Sequence, residues 1–142
     1  MWPAPRYLLC GCLLLAVCLL DAGQPVPRVS IRDIAPDKTR RGIIHADIPF
    51  ESLGVKWVAG GPVTIRVRGS ADGLRWSEWS EVRVDAHATE EGPREFTGAL
   101  IYLGRNTEFV EYQADPAVAK LRLFFLDPGE TPPGSLGRGL FP

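Results

Sequence analysis

Apolar and polar residues alternate with a period of two along most of the chain, which predicts β-strands with one face on a core. The clearest run is Val63–Arg68, in which valine and isoleucine alternate with threonine and arginine. About eight such runs follow one another at intervals of roughly 8 to 15 residues, a spacing typical of β-sandwiches. We therefore predict an all-β fold: a single antiparallel β-sandwich, jelly-roll-like or fibronectin-like.

The predicted strands are short and are separated by segments rich in glycine, proline and polar residues, which favour turns. They are Val29–Ile34, Ile43–Ile48, Phe50–Val58, Val63–Arg68, Trp76–Val84, Phe96–Leu103, Thr107–Gln113 and Ala119–Leu126. The turn Gly69–Arg75, with Asp72-Gly73 at its centre, joins the fourth and fifth strands. This pair is predicted to be a β-hairpin.

The two faces of the hairpin's return strand follow from its parity. Val82 and Val84 are expected to face the core, and Trp76 shares their parity. Trp79 lies on the opposite parity and is expected on the outer face. In a regular strand Trp76 would therefore cap the core at the end of the hairpin.

The outward residues of the two hairpin strands predict a structural ladder of arginine and tryptophan. Arg66 and Arg68 face outward beside Trp79, and a guanidinium over an indole is stabilising. An alternative is polyproline-type geometry, whose three-residue turn would put Trp76 and Trp79 on one side. A second hypothesis gives the aromatics a binding role, with Trp79 and Trp57 as glycan contacts. A sugar platform needs a flat exposed indole, whereas a scaffold buries or covers these rings.

The stretch "RWSEWSEV", residues 75–82, contains W-S-x-W-S, which resembles the signature of class I cytokine receptors. Its position argues against that family, because three predicted strands follow it and no membrane span does. The preceding "SADGLRW" resembles the Asp-box of sialidase propellers but lacks one residue before the glycine. A single copy excludes a propeller and leaves a turn organised by Asp72.

The first residues have the pattern of an export signal. Arg6 precedes an apolar run of 14 residues, Tyr7–Leu20, shorter than the roughly 20 residues of a membrane span. We expect a signal peptide over residues 1–23, an exported product, and no transmembrane span in the mature chain. All three cysteines lie within this run, so no disulfide is expected. Acylation of Cys18 would give a lipoprotein, but Val17 fits such a site poorly.

Composition and spacing point away from several functions. The formal net charge is -1, so there is no basic field to attract nucleic acid. His45 and His87 are not paired by spacing, and the acidic loop around Glu90 reads as solvated rather than as a calcium site. We expect no catalytic residue, no metal and no cofactor, and a monomer.

A set of segments, taken in order, resembles the N-terminal β-sandwich region of secreted bacterial peptidoglycan-recognition-type N-acetylmuramoyl-L-alanine amidases. They are "FESLGVKW", "VTIRVRGSADGLRWSEWSEV", "VDAHATEEGP", "ALIYLG", "FVEYQ" and "LRLFFLDPGE". The resemblance covers roughly residues 31–130 and implies a module that precedes a zinc amidase domain.

The resemblance implies a role for the module but no catalysis in this chain. After "DPGE" the sequence runs to Pro142 without such a domain, so we expect a truncated, non-catalytic accessory module over residues 24–130 and a disordered tail over residues 131–142. Its partner would be peptidoglycan or another envelope glycan, or an enzyme domain that it positions. The alternative is a stand-alone carbohydrate-binding or adhesion β-sandwich.

Overall fold

The computed structural model describes residues 26–86 and 94–130. The predicted signal peptide, the predicted tail and the acidic-loop residues His87, Glu90 and Glu91 lie outside the described residues. The prediction of an all-β fold is confirmed: the described residues form antiparallel strands and one short 3-10 turn, Pro36–Lys38, with no α-helix among them.

Seven strands belong to one antiparallel sheet. They are β1 (Arg28–Ile34), β2 (Arg41–Val58), β3 (Thr64–Ser70), β4 (Ser80–Glu81), β5 (Glu95–Thr97), β6 (Ile101–Asp115) and β7 (Lys120–Asp127). The strand order is β1-β7-β2-β6-β3-β4, and β5 pairs with β2 off this path. Strands that are neighbours in the chain are therefore rarely neighbours in the sheet.

Two long strands replace four predicted short ones. The first part of β2, from Arg41, pairs with the end of β6, and its second part, up to Val58, pairs with β7. The register with β6 shifts between His45 and Ser52, and from Ser52 onward β2 also pairs with β7 on its other side. Such irregularities bend a strand, so β2 continues through the predicted break at Pro49 instead of ending there.

The second long strand, β6, runs through a predicted turn. Gly104 and Asn106 have positive φ values of 104° and 57°, as expected of turn residues. The chain nevertheless keeps its strand pairing on both sides of them. These two residues therefore bend β6 rather than reverse it.

One hydrophobic core joins strands that are far apart in the sheet order. Phe50 of β2 contacts Phe125 of β7 with ring centroids 4.9 Å apart, and Val67 of β3 belongs to the same cluster as Ile34 of β1. The largest fully buried side chains are Tyr112, Phe50, Phe125, Leu53, Ile65, Leu121, Leu123, Val55, Val67, Val110 and Thr39. A sheet whose first and fifth strands, β1 and β3, share one core must curl around it.

Strand β1 alternates as predicted, but Val29 and Ile31 point outward. Ile34 pairs with Leu121 and is buried, which fixes the even-numbered residues on the core side. Val29 and Ile31 are consequently 58% and 54% exposed. On the other face, Arg32 donates a hydrogen bond of 2.7 Å to Asp47.

Candidate binding face around Arg68

A tight turn after β3 starts the segment that carries the tryptophans. The Asp72 carboxylate accepts backbone hydrogen bonds from Leu74 and Arg75 at 2.9 and 2.8 Å, and the Ser70 hydroxyl accepts one from Gly73 at 2.9 Å. The Arg75 backbone N–H, followed by that of Leu74, holds the pKa of Asp72 well below its usual range. This is an Asx-type turn, in which one side chain replaces backbone partners.

The chain after this turn does not return as the predicted regular strand. Only Ser80–Glu81 forms strand pairs with β3, so the expected strand Trp76–Val84 is wrong over most of its length. Ser77 holds the intervening segment instead: its N–H donates to the Gly69 carbonyl at 2.9 Å, and its hydroxyl accepts from the Gly69 N–H at 3.0 Å. A side chain thus occupies a place in the ladder that a backbone carbonyl would fill.

The end of the predicted strand behaves differently at its two valines. Val82 is buried and donates from its N–H to the Ile65 carbonyl at 2.8 Å. Val84, which parity placed inward, is exposed and forms only an isolated bridge to Gly98. The alternation stops at Val82 because the sheet partner β3 is no longer beside the chain.

Arg68 lies against both tryptophans of the segment. Its guanidinium carbon is 4.6 Å from the ring centroid of Trp79 and 5.2 Å from that of Trp76. Both indoles are therefore on one side, as in the polyproline-type alternative. Trp76 is half-buried and is not a member of the core cluster, so it does not cap the core as the regular strand required.

Glu111 of β6 holds the Arg68 guanidinium in place. Arg68 donates from Nε and Nη2 to one Glu111 oxygen at 2.7 and 2.6 Å, and both side chains are partly buried. The two residues are direct partners in the β3–β6 register. Charge-assisted hydrogen bonds of this kind fix geometry as well as adding stability. The sequence analysis did not identify Glu111; its outward parity in β6 is a signal only once β3 is known to lie beside β6.

Arg66, the other predicted ladder residue, occupies a different position. It is exposed and lies between Glu81 and Gln113 in the strand register. Within residues 26–86 and 94–130, Arg68 is the arginine that makes cation–π contacts with tryptophan. We name the surface formed by Arg66, Arg68, Trp76, Trp79 and Glu111 the Arg/Trp face.

Trp57 cannot contact a glycan, which corrects the second hypothesis for this residue. It is 5% exposed, belongs to the core and stacks on Phe96 with ring centroids 5.7 Å apart. Its register partner Leu121 is also buried. Trp79 is half-buried and keeps some surface in contact with solvent.

His45 lies on the same side of the sheet, beyond the Arg/Trp face. Its ring stacks on Phe109 at 4.4 Å, and its Nε2 is 3.6 Å from a carboxylate oxygen of Glu108. Among the described residues no group of three or more His, Cys, Asp or Glu side chains is arranged to hold a metal ion. His45 therefore has an aromatic and an acidic neighbour but no metal-ligand set in this part of the chain.

Comparison with known proteins gives no relative for this chain. No protein family, no curated protein and no solved structure matched it. In the part of the chain that the structure describes, no helix has the length and apolar character needed to cross a membrane. The geometry of the Arg/Trp face and the sequence resemblance are therefore the two sources for a functional proposal.

Proposed function

We propose that this chain is an exported, non-catalytic β-sandwich module of a cell-wall amidase-type protein, which binds peptidoglycan or another envelope glycan through its Arg/Trp face. The sequence resemblance supports the family part of this proposal. The binding part rests on one observation, the pair of half-buried indoles held by Arg68 on an otherwise polar face.

The Arg/Trp face has the chemistry that a sugar surface requires. The apolar side of a pyranose ring packs on an indole, and its hydroxyls need nearby donors and acceptors. Trp79 provides the aromatic surface, while Arg66 and Gln113 are exposed register partners on β3 and β6. The carboxylates of peptidoglycan peptides would add a partner for Arg66.

Preorganisation is the second argument for binding at this face. Arg68 and Glu111 restrict the indoles before any ligand arrives, which reduces the entropy lost on binding. The same contacts cover part of each ring, so the platform is small. We therefore expect weak binding per module, suited to a polymer that presents many equivalent sites.

A stand-alone carbohydrate-binding or adhesion module is the competing function. It would use the same face, because the half-buried indoles of Trp76 and Trp79 lie there beside polar side chains. The two functions differ in ligand: the first requires peptidoglycan, whereas the second allows binding to glycans that lack the peptide. Parallel assays with peptidoglycan and with chitin distinguish them, since chitin carries the amino sugar without peptide carboxylates.

Co-sedimentation of the purified full chain with insoluble peptidoglycan tests the proposal. We expect Trp79→Ala to lower the bound fraction at least fivefold. Leu74→Ala is the matched control, because Leu74 is exposed in the turn that precedes the tryptophans and is not a member of the Arg/Trp face. Sedimentation that is unchanged in Trp79→Ala would contradict binding at this face, and no sedimentation of the unaltered chain would leave only the positioning role.

A hydrolysis assay tests the non-catalytic part separately. The purified chain is incubated with soluble muropeptides, and the products are separated by chromatography. We expect no release of peptide from the muramoyl group. Turnover that co-purifies with the chain would contradict the proposal whatever the sedimentation result.

A further inference from the structure

A second outer surface of the sheet is apolar and uncovered by the described chain. In one row Val29, Leu126, Ser52 and Tyr102 are successive register partners across β1, β7, β2 and β6. In the next row Ile31, Phe124 and Gly54 are partners. We name the surface formed by Val29, Ile31, Tyr102, Phe124 and Leu126 the Ile31 face.

Gly54 contributes no side chain to the centre of the Ile31 face. A Cβ atom built on Gly54 would lie 3.3 Å from the Phe124 Cβ atom and 3.7 Å from its ring, so the phenylalanine lies close to the glycine backbone. Around it Val29, Ile31 and Tyr102 are 58%, 54% and 65% exposed. The largest contiguous apolar patch on a protein surface is often an interaction surface.

We propose that the Ile31 face is the contact between two copies of this chain, which form a reversible two-fold dimer in solution. The two sheets would pack face to face, with the apolar rows of one copy against those of the other. Sheets that pack face to face do so at a separation of about 10 Å. The proposal concerns a surface apart from the Arg/Trp face and does not depend on the proposed function.

Charge favours a second copy over a charged partner. The five side chains of the face are uncharged, and the adjoining row consists of Asp33, Arg122 and Lys56. Arg122 forms an ion pair with Asp33, donating at 3.0 Å from Nη2. A row with both signs does not repel its own copy, and a formal net charge of -1 gives little long-range repulsion between chains.

The polar content of the face argues against a glycan as its occupant. The hydroxyls of Ser52 and Tyr102 are the polar side-chain groups within the two apolar rows. Three of its five side chains, Val29, Ile31 and Leu126, are aliphatic and provide neither a flat surface for a sugar ring nor a hydrogen-bond partner for its hydroxyls. Another apolar sheet face would cover these side chains, and a second copy of the chain supplies such a face.

The size of the face sets the expected strength of the dimer. The two apolar rows cover roughly 260 Å² in plan, from strand spacings of about 4.8 Å and row spacings of about 6.8 Å, and the adjoining charged row brings the total to roughly 400 Å². Stable protein interfaces bury about 800 Å² on each partner. The contact is therefore small, and we expect a dissociation constant on the order of 100 μM.

Sedimentation velocity of the full chain over about 5 to 500 μM, a range centred near that constant, tests the proposal. We expect the weight-average mass to rise from monomer toward dimer across the series. Ile31→Lys should weaken association at least tenfold, because a lysine ammonium would lie in the apolar contact. Ile43→Lys is the matched control, since Ile43 is a 59% exposed isoleucine of β2 outside this face.

Three results would overturn the proposal. They are a monomer at all concentrations, association that Ile31→Lys leaves unchanged, and equal weakening by Ile43→Lys. Circular dichroism and thermal melting establish that each variant is folded. Val29→Lys, in the neighbouring row, replaces Ile31→Lys if the latter does not fold. Peptidoglycan binding plays no part in this readout, so the two proposals fail independently.

Discussion

The Arg/Trp face and the Ile31 face are two outer surfaces of one sheet. Large side chains are held by neighbouring residues on the first and are exposed on the second. On the first, Trp76 and Trp79 lie against Arg68, which Glu111 holds. On the second, Ile31 and its apolar neighbours face outward with no covering segment in the described chain. β6 contributes a residue to each surface, Glu111 to the first and Tyr102 to the second, so the difference does not come from separate cores.

The difference lies in what the chain places over each surface. After β3, the turn at Asp72 and the segment 76–79 bring two indoles back over the sheet. Among the described residues no strand lies beyond β1 in the sheet order, and none of them covers the exposed Ile31. Alternation therefore determines which side chains face outward, whereas connectivity determines whether they are covered.

The largest expected effect tests whether the core and the Ile31 face are distinct, using two adjacent phenylalanines. Phe125 is fully buried and contacts Phe50, so Phe125→Ala should lower the free energy of unfolding by about 3 to 5 kcal/mol. Phe124 is half-buried on the outer face, and Phe124→Ala should cost about 1 kcal/mol. Urea denaturation at a low protein concentration, where the chain is monomeric, measures both.

Equal losses for these two variants would contradict the distinction between core and outer face. A large loss for Phe124→Ala alone would mean that its packing on Gly54 carries more stability than the exposed rows suggest. An increase in solubility of Phe124→Ala without loss of stability would sharpen the comparison, because it would identify the outer ring as an associating group.

The second effect tests how firmly the Arg/Trp face is held. Arg68→Ala removes two cation–π contacts and an ion pair that is partly buried, and should cost about 2 kcal/mol. Arg66→Ala is the matched control two residues earlier on the same strand and face. Arg66 is exposed, and its loss should change the free energy of unfolding by less than about 0.5 kcal/mol. Equal effects would mean that Arg68 acts as a surface charge rather than as the centre of the ladder.

The strand alternation was sufficient to predict the fold class and several core residues. Leu121, Leu123 and Phe125 share one face of the last predicted strand, and all three are buried. The sequence could not show which face of β1 is buried. Two apolar residues, Val29 and Ile31, share one parity, whereas Ile34 alone has the other, so alternation favours the wrong face. Pairing of Ile34 with Leu121 decides the register, and pairing is a property of two strands rather than of one.

The candidate site divides in the same way between local and non-local information. The approach of Arg68 to Trp79 followed from parity within a hairpin, since both residues lie close in the chain. The position of Trp76 required the irregular geometry that Ser77 stabilises. The role of Glu111 could be predicted only from the order of strands in the sheet. The burial of Trp57 depends on its partners on β5 and β7.

The smallest expected effect is that of lowering the pH. Tryptophan fluorescence distinguishes the two surfaces here, because both tryptophans of segment 76–79 lie on the Arg/Trp face. Backbone N–H groups of Arg75 and Leu74 hold the pKa of Asp72 well below its unfolded value of 3.8. Its contribution to stability is therefore present above about pH 4 and is lost as the pH falls through the folded pKa. We expect tryptophan emission to shift to longer wavelength in this window, as the segment carrying Trp76 and Trp79 loosens.

Two aspartate variants distinguish a local change from general acid unfolding. In Asp72→Asn the side chain still accepts hydrogen bonds but cannot titrate, so its melting temperature should approach that of the unaltered chain as the pH falls from 6 to 2. Asp33 borders the Ile31 face, and its side-chain hydrogen bond with Arg122 lowers its pKa. The difference in melting temperature between Asp33→Asn and the unaltered chain should likewise become smaller as the pH falls. The shift in tryptophan emission should be unchanged in this variant, because no tryptophan contact depends on Asp33. A common response of both variants would mean that acid acts on the sheet as a whole and that the two surfaces do not differ in how they are held.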